Sequence, residues 1–224
     1  MPTHPYKVDG KRVPGVTTII GRFKDSGGLM WWAFEQGKAA ERGEINSLYD
    51  QRDTAASLGT LVHEMVEAHI DGVEFYFPGE KQGDDRQQIN VEDKEKVWAA
   101  YGAYFEWQKN CGMEFVAQEI PLVSEQYLFG GCPDAIARIN DKLCLIDWKT
   151  SGGVYPDYLI QLAAYKHLWE EAGNEPIEGF HLCRFDKEYG DFAHHYYPEL
   201  DDAWLQFLLF REAYDIDKRL KKRA

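Results

Sequence analysis

Two apolar runs in this sequence are separated by two residues that favour a tight turn. Asn140 and Asp141 stand between the runs, and both residue types tolerate the positive φ angles that two-residue hairpin turns need. A hairpin closed by this turn pairs Ile136 with Leu145. Because both faces of its strands are apolar, the pattern predicts a central β-hairpin that is covered on both sides.

The same register brings charged side chains together at the open end of the hairpin. Asp134 and Asp147 become directly opposed, and carboxylates placed in this way repel each other. Lys149 lies on the same face as Asp147, because alternate residues of a strand share a face. The plainer interpretation is that solvent screens these charges at a strand end. A carboxylate pair at the rim of a covered sheet instead predicts a divalent-cation site, and oxygen ligands favour Mg²⁺ or Mn²⁺.

Length and composition favour one soluble domain. The chain has 224 residues, of which 44% are hydrophobic, and no shift in composition divides it; this is enough for one substantial core. It contains no apolar run of membrane-spanning length, and residues 1–15 lack the apolar region of a signal peptide. We therefore expect a cytoplasmic protein that has no membrane partner.

The charge balance and the cysteines exclude several classes of site. A formal net charge of −13 argues against broad, non-specific binding of nucleic acid, because such binding grows with the number of Lys and Arg contacts. Any contact with nucleic acid must be local, assisted by a metal, or helped by a partner. The four cysteines form no CxxC pair, so their spacing predicts neither a zinc ribbon nor a disulfide framework.

Apolar periodicity predicts helices that alternate with a β-rich unit. Helices are expected within residues 27–43, 53–72, 91–112, 155–173 and 201–222, and strands within 114–125, 177–186 and 191–199 beside the hairpin. The segment KRVPGVTTII, residues 11–20, is a further candidate strand. We interpret the paired Trp31 and Trp32 as packing residues rather than as a platform for base stacking. This order predicts a layered α/β fold rather than a repeat or a helix bundle.

Further polar side chains are candidates for the same site. His63 lies on a predicted helix, where a lone histidine is usually structural, yet a neutral imidazole would complete the ligands of a cation. Residue 67 is Glu where an HExxH zinc motif needs His, so that motif fails. Glu119, in a predicted strand, either faces solvent or joins the cation site. Gln161 and Tyr165 share one helix face and could grip a phosphate or a base.

Five sequence elements together resemble the motifs of the PD-(D/E)XK nuclease superfamily, in its RecB-like branch. In chain order they are GTLVH with His63, the strand residue Glu119, GGCPD with Asp134, IDWKT with Asp147 and Lys149, and QLAAY with Gln161 and Tyr165. The N-terminal segment VPGVTTII…LMWWAFEQGKAA is also similar to the opening of phage exonucleases and of the mitochondrial genome maintenance exonuclease group. The resemblance implies a restriction-endonuclease-like fold, with a central mixed β-sheet flanked by helices and an N-terminal helical extension.

The resemblance also implies boundaries and roles. One nuclease domain would fill the chain, with an extension over 1–57, a core over 58–200 and a C-terminal helix over 201–224. One or two Mg²⁺ or Mn²⁺ ions would be held by His63, Asp134, Asp147 and the main-chain carbonyl of Trp148. Lys149 would orient or deprotonate the attacking water, and Glu119 would be a further catalytic residue beside the two aspartates. Gln161 and Tyr165 would position the DNA strand.

The activity implied by the resemblance is that of a metal-dependent exonuclease acting on DNA with free ends. Its setting would be DNA recombination, repair or processing in a bacterial or phage-infected cell, with a single-strand annealing or binding protein as a candidate partner. The alternatives are a structure-specific endonuclease or resolvase, and a DNA-binding module that does not cleave. Related nucleases with an iron–sulfur centre carry several cysteines after the QxxxY helix, whereas only Cys183 lies there in this chain. No iron–sulfur cluster is therefore expected.

Overall fold

A computed structural model describes residues 5–24, 27–43, 50–86, 88–185 and 192–223. The first part of the chain holds β1 (Lys7–Val8), β2 (Lys11–Arg12), α1 (Val16–Phe23), α2 (Gly27–Glu41), α3 (Asp50–Ile70) and α4 (Val91–Cys111). The second part holds β3 (Glu114–Gln118), β4 (Leu122–Ser124), β5 (Phe129–Gly131), β6 (Ala135–Ile139), β7 (Lys142–Thr150), α5 (Pro156–Glu171), β8 (Gly179–Phe185), β9 (Phe192–Tyr197) and α6 (Asp201–Lys221). Within these described ranges, no helix is both long enough and apolar enough to cross a membrane.

The centre of the fold is a mixed sheet of five strands in the order β3-β6-β7-β8-β9. Strands β7 and β8 are parallel and are connected through α5, whereas the other neighbouring strands are antiparallel. Helices α1, α5 and α6 contribute to the apolar core on one face, and α3 and α4 contribute to the core on the other. The predicted α/β fold, with a central mixed sheet flanked by helices, is confirmed.

The hairpin has the register that the sequence predicts. Asn140 and Asp141 have φ angles of 51° and 65° and form the turn. Ile136 pairs with Leu145, and both are buried in the core on the α5 side. The opposite faces of β6 and β7 pack against the α3 and α4 side. Local turn chemistry and the apolar pattern agree at this point, which explains why the register is predictable.

Two expectations for the N-terminal part are wrong. Only the first two residues of segment 11–20 pair as a strand, and the chain from Val16 onward forms α1. Val16, Ile19 and Ile20 lie on one face of that helix and are buried, so tertiary packing outweighs the modest helix penalty of β-branched residues. Trp31 does not lie in the core, because it is 65% exposed on α2, where its ring contacts that of Phe34 with centroids 5.8 Å apart. The side chain of Trp32 lies outside the described residues.

Two histidines on β8 and β9 form a pair that links stability to pH. His181 Nδ1 and His194 Nε2 are 2.7 Å apart, and their rings are stacked. Trp107 of α4 lies against His194, with ring centroids 4.9 Å apart. Burial, followed by the effect of His194, lowers the pKa of His181 from 6.5 to about 4. The folded protein therefore holds His181 neutral at pH values where the unfolded chain protonates it.

We expect the free energy of unfolding to fall as the pH drops from 6.5 towards 4, because the unfolded chain then binds a proton that the folded chain excludes. His181→Phe removes this group, so between these pH values the wild type should lose about 2 kcal/mol more than the variant. Urea unfolding of both proteins at the two ends of the window measures the difference. Equal losses in wild type and variant would contradict the assignment.

Candidate active site

The open end of the β6–β7 hairpin holds two buried carboxylates. Asp147 in β7 is fully buried, and Asp134, immediately before β6, is 4% exposed. They occupy the step beyond the last pair of the register, Ala135 with Ile146. The backbone N–H of Trp148 donates a hydrogen bond of 2.9 Å to Asp134 Oδ2. One oxygen of Asp134 is thereby fixed, and the carboxylate is held beside β7.

Lys149 supplies the positive charge next to this carboxylate pair. Its Nζ lies 2.6 Å from Asp147 Oδ2, and its side chain is 16% exposed. The same Nζ lies 5.5 Å from the ring centroid of Tyr158 on α5. The predicted placement of Lys149 on the face of Asp147 is therefore observed. We call Asp134, Asp147 and Lys149 the charged triad.

The charged triad has more negative than positive charge. Burial is the main cause that raises the pKa of Asp147, and Asp134 adds to the increase while Lys149 opposes it. For Lys149, burial acts to lower the pKa, but the carboxylates of Asp147 and Asp134 outweigh it and raise the pKa above its usual value. Two carboxylates thus share one firmly held ammonium. A further cation in this place would relieve the repulsion between them.

Helix α5 brings Gln161 and Tyr165 to the charged triad. Gln161 Nε2 donates hydrogen bonds to Asp147 Oδ1 at 3.3 Å and to Tyr165 Oη at 2.9 Å. The two residues are four apart and therefore share a helix face. Both are buried, with exposed fractions of 9% and 5%. Their observed contacts orient Asp147, and their contact with DNA stays a prediction.

The glycines before Asp134 make room for neighbouring rings. A Cβ atom on Gly131 would lie 2.5 Å from Tyr165 Cε1 and 2.9 Å from Leu168 Cδ1. A Cβ atom on Gly130 would overlap the ring of Tyr6. Gly131 therefore needs to be small because α5 lies directly against β5, and Gly130 needs to be small because the ring of Tyr6 lies against it.

We expect Gly131→Ala to lower the free energy of unfolding by about 1–3 kcal/mol, because the added methyl group would collide with a buried tyrosine. The matched control is Gly102→Ala in α4, where an added Cβ meets no atom within 4 Å and the helix should be neutral or more stable. Urea unfolding compares the two variants. Equal stability of the two would show that the Tyr165 ring moves aside freely.

Glu119 approaches the site from the end of β3 and not from within the strand. Its φ angle of 45° lies in the left-handed region, which ends the strand at Gln118, so the expectation of a strand position is wrong. The Glu119 N–H donates to the Asp134 carbonyl oxygen at 3.1 Å. Its carboxyl group is hydrogen-bonded to Glu67 of α3, and burial, followed by this bond, raises the pKa of Glu67 to about 7.

Glu67 also lies at this site, although its only mark in the sequence is that it stands where a zinc motif needs His. The available signal was its spacing of four residues from His63, because that spacing places both side chains on one face of α3. Tyr158, which lies beside Lys149, was also missed and carried no comparable signal.

His63 contacts a different part of the site. Its ring meets the Trp148 indole edge to face, with centroids 6.4 Å apart. Among the residues that the structure describes, no three His, Cys, Asp or Glu side chains converge closely enough to hold a metal ion. The ligand set of His63, Asp134, Asp147 and the Trp148 carbonyl therefore stays a prediction.

The carboxylates nevertheless fit the demands of a small divalent cation. Mg²⁺ is commonly held by one or two carboxylates, while waters and substrate phosphates complete its coordination. Asp134 and Asp147 supply such a pair, and only one oxygen of Asp134 is engaged by the Trp148 N–H. The charge of Asp134, which adds to the effect of burial in raising the pKa of Asp147, would be offset by the ion.

Comparison with known proteins gives one strong match. The family model of the PD-(D/E)XK nuclease superfamily matches residues 32–209, which is more than half of the chain. No curated protein matches the sequence.

Several solved structures are similar to this chain. SSO0001 is 20% identical over 55% of this chain and 59% of that chain, with a TM-score of 0.35, so the chain spans about three fifths of its length. The alkaline exonuclease LHK-Exo from Laribacter hongkongensis is 15% identical over 62% of this chain and 76% of that chain, with a TM-score of 0.40. LHK-Exo in complex with dAMP is 13% identical over 72% and 82% of the two chains, with a TM-score of 0.39. At such low TM-scores these similarities say nothing about activity, and the family match stands by itself.

Proposed function

This chain belongs to the PD-(D/E)XK nuclease superfamily, and from that membership we propose that it is a metal-dependent exonuclease that hydrolyses phosphodiester bonds in DNA with free ends. The observation that carries the proposal is the charged triad, in which two buried carboxylates share one ammonium. A purely structural role would not favour this arrangement, because an excess of buried negative charge destabilises a fold. The net charge of −13 fits an enzyme that binds DNA in one narrow place.

The residues proposed to hold the cation are Asp134 and Asp147, with His63 and the Trp148 carbonyl as the further ligands that family resemblance implies. We propose one or two Mg²⁺ or Mn²⁺ ions and no iron–sulfur cluster. When bound, such an ion supplies Lewis-acid stabilisation of the phosphate and a more acidic water. The protein contributes the orientation of its ligands: the Trp148 N–H holds Asp134, and Gln161 holds Asp147.

Lys149 is proposed to act as a hydrogen-bond donor. In the metal-free protein the carboxylates raise its pKa, which favours the ammonium form that donates hydrogen bonds. It can donate one N–H to Asp147, with which it is paired, and others to the attacking water and to a phosphate oxygen. In this position the ammonium stabilises negative charge that develops on the phosphate during hydrolysis.

Glu119 is proposed as an additional catalytic carboxylate. Its backbone N–H donates to the Asp134 carbonyl oxygen, and its carboxyl group interacts with that of Glu67. Gln161 and Tyr165 are proposed to position the DNA strand, in addition to orienting Asp147. We place the activity in recombination, repair or processing of DNA in the cytoplasm of a bacterial or phage-infected cell. A single-strand annealing or binding protein remains the proposed partner, because the acidic surface offers few phosphate contacts.

Degradation of end-labelled linear DNA against covalently closed circular DNA tests the proposal. Each substrate is incubated with Mg²⁺, with Mn²⁺ or with EDTA. We expect loss of the linear DNA with metal, persistence of the circles, and no reaction in EDTA. Cleavage of circles at a similar rate would replace the exonuclease with an endonuclease or resolvase. Absence of cleavage under every metal condition would favour a DNA-binding module.

A further inference from the structure

Helix α6 carries an aliphatic stripe that the rest of the fold leaves exposed. Its members, which we call the α6 stripe, are Leu205, Leu209, Ile216 and Leu220. Their exposed fractions are 58%, 66%, 40% and 59%, respectively. At 100° per residue these side chains fall within an arc of about 60°, so they line one face of the helix as two pairs, with Glu212 between the pairs. Single exposed aliphatic residues are ordinary, but four that are aligned on one helix face indicate an interaction surface.

The opposite side of α6 already accounts for its attachment to the fold. Phe207 is fully buried among the residues of the α5-side core, and its ring lies 4.7 Å from that of Phe129. Buried Arg211 donates through Nε and Nη2 to the carbonyl oxygens of Tyr127 and Leu128, at 2.9 and 3.1 Å. The α6 stripe is therefore not needed to hold the helix in place, and its apolar character needs another explanation.

The charges at the two ends of α6 are opposite. The first turn contains Asp201 and Asp202, and the last turn contains Lys218, Arg219 and Lys221. The helix dipole accounts for charges of this sign at each end. At 100° per residue, Asp201, Asp202 and Arg219 lie near the face of the α6 stripe, whereas Lys218 and Lys221 lie toward the other side of the helix. In an antiparallel pair of these faces, the two aspartates of each helix therefore approach Arg219 of the other.

We propose that the α6 stripe is the interface of a homodimer in which the α6 helices of two copies pack antiparallel about a two-fold axis. With the axis near the middle of the helix, Leu205 packs on the second copy's Leu220, and Leu209 packs on the second copy's Ile216. Such an interface is self-complementary, as closed two-fold dimers require. A single helix pair buries less surface than a standard interface, so the dimer is expected to be concentration-dependent.

One residue opposes this arrangement and provides a sensitive test. Glu212 is exposed and lies on the same helix face as the α6 stripe, close to the proposed axis. In the dimer it approaches the second copy's Glu212, and these like charges repel each other. Glu212→Gln should therefore strengthen association. If the surface does not pair with itself, this substitution should leave association unchanged.

Sedimentation velocity over a range of protein concentrations tests the dimer without reference to nuclease activity. We expect the wild type to shift from monomer to dimer, Leu209→Glu to remain monomeric, and Glu212→Gln to lower the dissociation constant about twofold to fivefold. The control Val91→Glu changes a residue that is 72% exposed at the start of α4, where an acidic side chain suits the helix. It should associate like the wild type.

Circular dichroism checks that Leu209→Glu is folded, which is expected because the replaced side chain is largely exposed. A wild type that stays monomeric at every concentration would overturn the proposal. So would a Leu209→Glu variant that still forms the dimer, or a Val91→Glu variant that loses it, because the interface would then lie elsewhere.

Discussion

Lys149→Ala is expected to lower the rate of DNA hydrolysis by about 10³-fold. The ammonium lies 2.6 Å from Asp147 and is the positive charge of the charged triad. Its removal takes away the proposed hydrogen bond to the attacking water. It also removes the positive charge that is proposed to stabilise the negative charge that develops on the phosphate. Rates on end-labelled linear DNA under saturating Mg²⁺ measure the effect. A folded variant that retained more than about a tenth of the activity would contradict the role of Lys149.

Loss of the fold must be separated from loss of the chemistry in this variant. Asp147 is fully buried, and removal of the partner of a buried charge costs about 3–5 kcal/mol. Lys149→Gln is the second variant, because its amide can still donate to Asp147 while the positive charge is lost. The control Lys166→Ala removes a half-buried α5 lysine that lies 3.8 Å from Glu170. It should leave the rate unchanged, whereas both Lys149 variants should be inactive.

Asp134→Asn is expected to have opposite effects on activity and stability. Hydrolysis should fall by about 10³-fold, because a proposed metal ligand loses its charge. The metal-free protein should become more stable by about 1 kcal/mol, because the repulsion between the carboxylates of Asp134 and Asp147 is removed. The asparagine side-chain oxygen can still accept the hydrogen bond that the Trp148 N–H donates to Asp134 Oδ2, so the local backbone should be unchanged.

Thermal unfolding in EDTA and in Mg²⁺ measures the second effect. Mg²⁺ should raise the Tm of the wild type, since a ligand that binds only the folded state stabilises it, and should not raise the Tm of Asp134→Asn. Asp141→Asn is the control, because it removes a carboxylate from an exposed turn where asparagine is equally suited to the positive φ of 65°. A wild type that Mg²⁺ does not stabilise, or an Asp134→Asn variant that it stabilises equally, would exclude Asp134 as a ligand.

The β6–β7 hairpin was predictable because several local signals agree. Turn chemistry places Asn140 and Asp141, alternation places Lys149 beside Asp147, and the apolar faces require cover on both sides. Each signal acts over a few residues, so the register follows without knowledge of the remaining chain. Helix α1 was not predictable in this way, because its β-branched residues satisfy a strand pattern locally and become helical only when the core covers Val16, Ile19 and Ile20.

The register of the hairpin, the convergence of the charged triad and the family motifs follow from the amino-acid sequence, because they depend on short-range geometry and on residue order. Three contacts follow from the folded structure instead: Gln161 donates to Asp147, Glu67 interacts with Glu119, and His181 pairs with His194. The folded structure also decides which face of α6 stays exposed. These features depend on how segments distant in the chain pack against one another, and packing is a property of the whole fold that local pattern does not contain.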